Sequence, residues 1–405
     1  MIEVAPRPDT GNSARPSGWN DWRWQMSHRI RSVDRLLEMF PGLADAPGLA
    51  KVCEKFPIAI TPYYASLIRR ADASDPVFQM AVPQSQELFD PPFLHADPLN
   101  EEKSMPVPGL IHRYPDRALI MATTTCSMYC RHCTRKRVAG TRESVITAAE
   151  LKAITGYLAA TPQINDVIIS GGDPFTMPMD MLEQILATVR SIPSIDIVRI
   201  GTRTPVVMPQ RITHELVDML KKHHPVWVNT HFNHPVEITP EARAACERLV
   251  DAGIPVGNQT VLLKGINDDP LVLEELCRGL VKMRVRPYYL FQCDLVSGIE
   301  HFRTPVSRGI EIMEYLRGRL SGLAIPCYVV DAPHGGGKIP LLPNYIVSTS
   351  PTHTVLRNSH GIMVSYPEPG MHAAPLEGNH ADGVWELASG KAARIAPSTA
   401  DDILS

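Results

Sequence analysis

The sequence has no hydrophobic run long enough to span a bilayer, no strong excess of either charge and few cysteines for its length. Across 405 residues no uncharged apolar segment approaches the roughly 18 residues of a transmembrane helix. The N-terminus, MIEVAPRPDTGNS, has no apolar stretch of the secretory kind. These absences predict a cytoplasmic protein with no membrane partner. A formal charge of -3 leaves no basic surplus to hold a phosphate backbone, so no nucleic-acid partner is expected. Eight cysteines are too sparse for a disulfide scaffold. What remains is a chain that is 44% hydrophobic, able to bury a sizeable core, with a small molecule as its expected substrate.

The chain divides by pattern. Residues 1–18, rich in Pro, Gly, Ser and charge, read as a flexible arm. Residues 19–110 read as a helical N-terminal region. Apolar positions recur at helical spacing from Trp22 to Met39, FPIAITPYYASLI continues the pattern with Pro-marked breaks, and residues 83–109 form a Pro-rich acidic connector. From 111 to 325, β-branched runs alternate with amphipathic stretches. Strands are predicted at Ala118–Thr123, Asp166–Ser170, Ile195–Ile200, Val226–Thr230, Val256–Val261 and Val285–Phe291. Helices are predicted between them at Ala148–Ala160, Met179–Ile192, Arg211–Lys222, Pro240–Ala252 and Pro270–Met283. Such alternation implies an α/β fold of parallel strands joined by right-handed crossovers, as an open six-unit barrel or a flat doubly wound sheet. The barrel is favoured because several motifs begin where a predicted strand ends. Beyond 320 the alternation stops. Residues 326–370 carry short strands at Cys327–Val330, Tyr345–Ser348 and Gly361–Tyr366, and 371–405 form a tail without periodicity.

Cys126, Cys130 and Cys133, spaced C-x3-C-x2-C, follow the first predicted strand, while Cys53, Cys246, Cys277, Cys293 and Cys327 are scattered singly and are expected in the core. Three thiolates on one loop can hold three irons of a [4Fe–4S] cluster and leave the fourth open to an outside ligand. A structural zinc site with His132, or a reduced cysteine-rich turn, is the alternative; zinc sites usually pair two cysteine clips, and no second clip exists. Ser170-Gly171-Gly172-Asp173 closes the second strand, where glycine N–H groups could face a carboxylate or ribose, although the same residues also make an ordinary turn. His231 and Gln259 end the fourth and fifth strands and could line the same mouth or be hydrogen-bonded core residues. Lys338, after three glycines in DAPHGGGK, could hold pyridoxal phosphate or be a surface lysine on a flexible hairpin.

From about Trp19 to Pro367 the chain resembles the lysine 2,3-aminomutases, carried by WNDWRWQ, FPIAITPYYASLI, HRYPDR, CSMYCRHCTRKR, GTRTPVV, THFNHP, HFRTPVSRGIEI and VVDAP-x-GGGK-x-P-x-x-PNY. The resemblance implies a partial (βα)6 radical S-adenosylmethionine barrel with a helical N-terminal region and a small C-terminal extension. It implies a [4Fe–4S] cluster on Cys126, Cys130 and Cys133, S-adenosylmethionine on its open iron as the source of a 5′-deoxyadenosyl radical, and pyridoxal 5'-phosphate on Lys338. In the same way Arg113, Tyr114 and Arg117 would seat the cofactor phosphate, Arg135 the substrate carboxylate, and Asp294 with Asp331 a distal substrate cation. The implied reaction moves the α-amino group of L-lysine to C3. L-Arginine satisfies the same acid pair and glutamate does not.

The chain departs from the pattern in places. Where the clostridial form has zinc-binding cysteines, this sequence has Asp268 and Asp269 and no cysteine after Cys327, so no structural zinc is expected. His334 replaces a usual glycine and Phe291 a common tyrosine. Further expectations are an electron donor such as flavodoxin or ferredoxin and a homo-oligomeric state. A zinc-stabilised non-catalytic protein and an ordinary pyridoxal phosphate enzyme are the competing classes.

Overall fold

The structure, a computed structural model, describes residues 15–44, 47–140, 142–369, 383–389, 391 and 394–395. Most of the predicted arm 1–18 and most of the tail 371–405 lie outside the described residues. Among the described residues no helix is long and apolar enough to cross a membrane.

The N-terminal region holds five short helices: α1 (Trp22–Ser27), α2 (Val33–Met39), α3 (Leu49–Lys55), α4 (Pro62–Ala65) and α5 (Pro76–Ala81). The helical periodicity read from Trp22 to Met39 is interrupted. Ser32 caps α2 by accepting the Arg35 N–H, and Ile30 forms a β-bridge with Ile60. Part of FPIAI is therefore extended, a correction to its helical reading, because backbone pairing between Ile30 and Ile60 outweighs local periodicity. The connector 83–109 has one 3₁₀ turn (Ser85–Leu88) and otherwise turns, as its prolines predict.

Nine strands form one sheet in sequential order: β1 (Leu110–Tyr114), β2 (Arg117–Thr123), β3 (Asp166–Gly171), β4 (Ile197–Gly201), β5 (Val226–Thr230), β6 (Val256–Leu262), β7 (Arg286–Gln292), β8 (Cys327–Ala332) and β9 (Gly337–Pro340). The strands from β2 to β8 are parallel, and β1 and β9 pair antiparallel at the two edges. Helices α6 (Ala148–Ala160), α7 (Met179–Arg190), α8 (Thr204–Val207), α9 (His214–Lys221), α10 (Pro240–Asp251), α11 (Pro270–Lys282) and α12 (Val306–Arg317) fall in the connections. All six predicted strands are present within two residues. The alternation continues for one more unit than the sequence reading allowed, through α12 to β8, so the boundary at 325 falls one strand early. Gly309 lets α12 approach β8, since a Cβ there would lie 2.2 Å from the Tyr328 ring.

The helices pack by their apolar stripes: Leu182, Ile185, Leu186 and Val189 on α7, and Leu273, Leu276, Cys277 and Leu280 on α11. Thr147, Thr239 and Asp269 cap α6, α10 and α11. Burial along β6 alternates strictly, with Val256, Asn258, Thr260 and Leu262 buried and Gly257, Gln259 and Val261 half-buried. The half-buried set points inward. Residues of every strand from β1 to β9 line a single cavity of about 520 Å³, and the Lys338 N–H of β9 donates to the Tyr114 hydroxyl of β1 at 3.0 Å. The sheet is therefore curled into a partial barrel whose edges approach across a side chain rather than through a ladder.

A second sheet of β10 (Ile346–Thr349), β11 (His353–Arg357), β12 (Met363–Pro367) and β13 (Arg394–Ile395) follows, with α13 (Val384–Ala388) against it. Leu387 of α13 is fully buried on Val355, so this part of the aperiodic tail is docked. Of the five scattered cysteines, Cys246, Cys277 and Cys293 are buried; Cys53 and Cys327 are only half-buried, Cys327 because it faces the cavity.

Candidate active site

The cysteine loop leaves the C-terminal end of β2 and runs to α6. The Arg203 guanidinium, from the end of β4, donates to the Cys130 Sγ at 2.8 Å, and the Arg135 N–H donates to the Cys133 Sγ at 3.3 Å. Arg29 donates to the Cys126 carbonyl and to Glu143. Burial, and then the neighbouring sulfurs, push the thiols of Cys126 and Cys133 up. Three half-buried thiols on one loop, Cys130 and Cys133 already receiving N–H donors, are a donor set that fits a bound cationic cluster. Among the described residues no three His, Cys, Asp or Glu side chains are gathered as a single-ion site. A cluster makes no such demand, because each thiolate takes its own iron.

The Ser170–Asp173 turn sits under this loop. A Cβ on Gly171 would lie 2.4 Å from the Thr123 carbonyl and one on Gly172 2.3 Å from that of Thr125, so both glycines are required by backbone contact. The N–H groups of Gly172 and Asp173 donate to those same carbonyls, at 2.6 and 2.8 Å. The Gly172 N–H is thus already taken, which corrects the expectation that it could face a carboxylate or ribose. Asp173 is buried and accepts from the Thr202 hydroxyl and the Arg203 N–H, joining the ends of β3 and β4. Ser170, His231 and Gln259 line the cavity. His231 Nδ1 lies 3.1 Å from the Gln259 carbonyl, and burial followed by the Arg203 charge lowers its pKa to about 4, keeping the imidazole neutral.

Across the cavity, β8 and β9 form a tight hairpin through Pro333–Gly335. Its register sets Asp331 directly opposite Lys338, and the Lys338 Nζ lies 3.1 Å from both Asp331 carboxylate oxygens. His334 occupies the turn at φ 60°, a left-handed conformation that suits glycine. His334→Gly is expected to raise stability by about 1 kcal/mol in denaturant unfolding; an unchanged or lowered midpoint would show that the imidazole's contact with His95 offsets the strain.

Asp294 follows β7 and lines the same cavity as Asp331, Lys338 and Arg135. Burial first, then the Asp331 charge, raise its pKa to about 7, against the lowering effect of Lys338 and Arg113. Arg113 donates to the Leu99 carbonyl at 3.3 Å and to Asp331 at 3.5 Å. Arg117 lies 4.2 Å over the Tyr114 ring. Phe291 is beneath Lys338, its ring 5.1 Å from Nζ. A cavity whose lining includes Arg113, Tyr114, Arg117 and Lys338 fits a phosphorylated aldehyde cofactor. Asp268 and Asp269 cap backbone N–H groups of Gly265 and Leu271.

Sequence reading missed two groups of the site, one against the cysteine loop and one lining the cavity. Arg203 lay unused inside GTRTPVV, and its signal was a cation at a predicted strand end. Glu101 lay in the connector taken as irregular; it accepts three hydrogen bonds from Arg135, and no local pattern could have joined residues so far apart in sequence.

Comparison with known proteins agrees with this layout. Residues 120–276 match the radical SAM superfamily model and residues 313–401 the lysine-2,3-aminomutase model. The chain is 54% identical to the L-lysine 2,3-aminomutase of Clostridium subterminale over 87% of this chain and 85% of that protein. It is 50% identical to that of Acetoanaerobium sticklandii over 94% of each, and 48% identical to the glutamate 2,3-aminomutase of Clostridioides difficile over 85% of this chain and 82% of that protein. A radical SAM methyltransferase structure from Sphaerobacter thermophilus overlays with a TM-score of 0.40 at 20% identity, over 56% of this chain and 71% of that one. The chain belongs to the lysine 2,3-aminomutase family of radical SAM enzymes and is an aminomutase, an isomerase.

Proposed function

We propose that the protein converts L-lysine to β-lysine by moving the α-amino group to C3, using a [4Fe–4S] cluster, S-adenosylmethionine and pyridoxal phosphate. The observation that carries the reading is one cavity lined by Arg135, by the acids Asp294 and Asp331, and by Lys338, which pairs with Asp331. Cys126, Cys130 and Cys133 would hold the cluster. Ser170, His231 and Gln259 would face the nucleotide, with Gly171, Gly172 and Asp173 shaping the turn beneath. Lys338 would hold pyridoxal phosphate, with Arg113, Tyr114 and Arg117 at its phosphate. When bound, these groups supply a hydrogen-abstracting radical and a carbonyl that accepts the migrating nitrogen.

The chain's own residues position and discriminate. Arg135 grips the substrate carboxylate, and Asp294 with Asp331 receives the distal cation, which fixes C2 and C3 between the two ends. Asp331 already holds a primary ammonium, that of Lys338, through both oxygens. The substrate's ammonium takes that place once the Lys338 amine is engaged elsewhere, and this favours lysine. Arginine, with the same charge at greater length, is the second reading. The likeness to a glutamate enzyme carries little weight, because a substrate carboxylate would be repelled by two acids. Neutral His231 adds no competing charge to the cavity. A one-electron donor such as flavodoxin or ferredoxin, a cytoplasmic location and a homo-oligomeric assembly complete the reading.

Anaerobically reconstituted, reduced protein given equal lysine and arginine should accumulate β-lysine, in a reaction that requires both S-adenosylmethionine and pyridoxal phosphate. β-Arginine as the main product would transfer the assignment to arginine. Bound zinc with no iron or acid-labile sulfide would remove the radical source altogether.

A further inference from the structure

The Pro-rich connector touches each part of the site. The Pro98 carbonyl accepts the His334 N–H of the lysine hairpin at 2.9 Å, the Leu99 carbonyl accepts from Arg113, and Glu101 meets Arg135 beside the cysteine loop. The connector is itself tied down at that point, since the Asp97 carboxylate accepts the N–H groups of Glu101 and Glu102 at 3.1 and 3.0 Å. Arg137 secures it from the other side, donating to Glu101 at 3.2 Å and Glu102 at 3.2 Å and pairing with Asp97 at 3.4 Å. Glu101 is buried, so its carboxylate is fixed both through its backbone and by two guanidiniums.

What this carboxylate does to Arg135 is specific. It takes the Nε and Nη2 edge, at 2.7 to 3.1 Å. The hydrogen bonds of the Arg135 guanidinium among the described residues are made by Nε and Nη2, and Arg135 lines the cavity. A guanidinium has five N–H donors in one plane, and holding one edge by a carboxylate fixes the direction of the rest. An arginine on a flexible stem loses rotamer freedom when it binds; one already clamped does not incur that loss again.

We infer that Glu101 is a positioning residue for substrate recognition: it clamps one edge of Arg135 so that the remaining donors meet the α-carboxylate of the amino acid. This deepens the proposed function and rests on its assignment of Arg135. Glu101 holds the guanidinium alongside the substrate rather than competing for it, because the two carboxylates use different edges.

The test is equilibrium binding to full-length holoenzyme carrying its cofactors but kept unreduced, so that no turnover occurs. Two probes are compared by calorimetry: L-lysine, and 1,5-diaminopentane, which has both amines and no carboxylate. Glu101→Gln should weaken lysine roughly tenfold, equivalent to the loss of one charge-assisted contact's orientation, and leave diaminopentane within about twofold. Glu101→Asp, which keeps the charge on a shorter arm, should fall between Glu101→Gln and wild type. In steady state the same variants should raise KM with a smaller change in kcat. Lysine binding that is unchanged, or tighter, in Glu101→Gln would overturn the inference, tighter binding marking Glu101 as a competitor for Arg135. Equal weakening of both probes would also overturn it and assign Glu101 a purely structural role. Arg135→Gln is the control on the underlying reading. If it discriminates between the probes while Glu101→Gln does not, the clamp fails and the carboxylate assignment stands. If Arg135→Gln does not discriminate, both fail together.

Discussion

Substitution of Cys130 by alanine should reduce amino migration to the level of the blank, a loss on the order of 10⁶-fold or more, since no other group in the cavity can generate a carbon-centred radical. The chemistry needs a cluster with one iron left open. On the proposed assignment, removing one of three thiolates would leave two protein ligands, too few to hold a cubane firmly. Cys130 is also the sulfur that receives the Arg203 guanidinium, whose remaining N–H groups reach Glu237, Tyr64 and the His231 carbonyl. The deletion therefore leaves a buried cation short of one partner as well. Iron and sulfide content, the cluster's EPR signal after reduction, and circular dichroism should be measured on one sample. Loss of cluster with retained secondary structure is the expected pattern; retained turnover would mean that the cysteines are structural and that the radical assignment is wrong.

Asp294→Asn should lower kcat/KM for lysine by about 10²-fold, corresponding to roughly 3 kcal/mol for removing one member of a buried charged set. It should do so in a pH-dependent way. In the free protein burial and the Asp331 charge raise the Asp294 pKa to about 7. A cationic side chain binds the ionised carboxylate, so affinity is greatest above that value and is lost as the pH falls through it, by about tenfold per unit below. Lysine binding near pH 6 should release a proton to the buffer, because the incoming ammonium restores Asp294 to its charged form. In Asp294→Asn both the slope and the proton release should vanish, leaving a low, flat affinity. If wild type binds equally well at pH 5.5 and 8 without proton release, the distal cation does not reach Asp294.

The barrel was legible because its local and global demands coincide. Runs such as Asp166–Gly171 and Val226–Thr230 are short, rich in β-branched residues and followed by amphipathic helices, the second capped by Thr239, so neighbouring residues alone specify the units. The eighth strand was less legible. Its crossover from β7 includes a long proline-containing loop before α12, and Gly309, placed for the Tyr328 ring, reads in sequence as a weak helix position. The N-terminal error has the opposite cause. A helical period from Trp22 to Met39 was present, but the Ile30–Ile60 bridge, a contact with a distant segment, took precedence.

At the site, the three cysteines, the glycine turn and the lysine hairpin could be picked out because each is a short segment with an unusual spacing. Family resemblance then supplied the acid and arginine positions, and the folded chain supplied their partners. Asp331 faces Lys338 because a tight hairpin sets the register between β8 and β9, something seven residues of sequence come close to dictating. Glu101 faces Arg135, and Arg203 faces Cys130, only because barrel closure brings loops from separate units to one mouth. Sequence by itself determined which units form and which loops carry reactive groups, since those depend on near neighbours. Which charges neutralise each other, which N–H groups are already spent and which arginine edge stays open were decided by the tertiary structure, because hydrogen bonds and desolvation depend on distance in space.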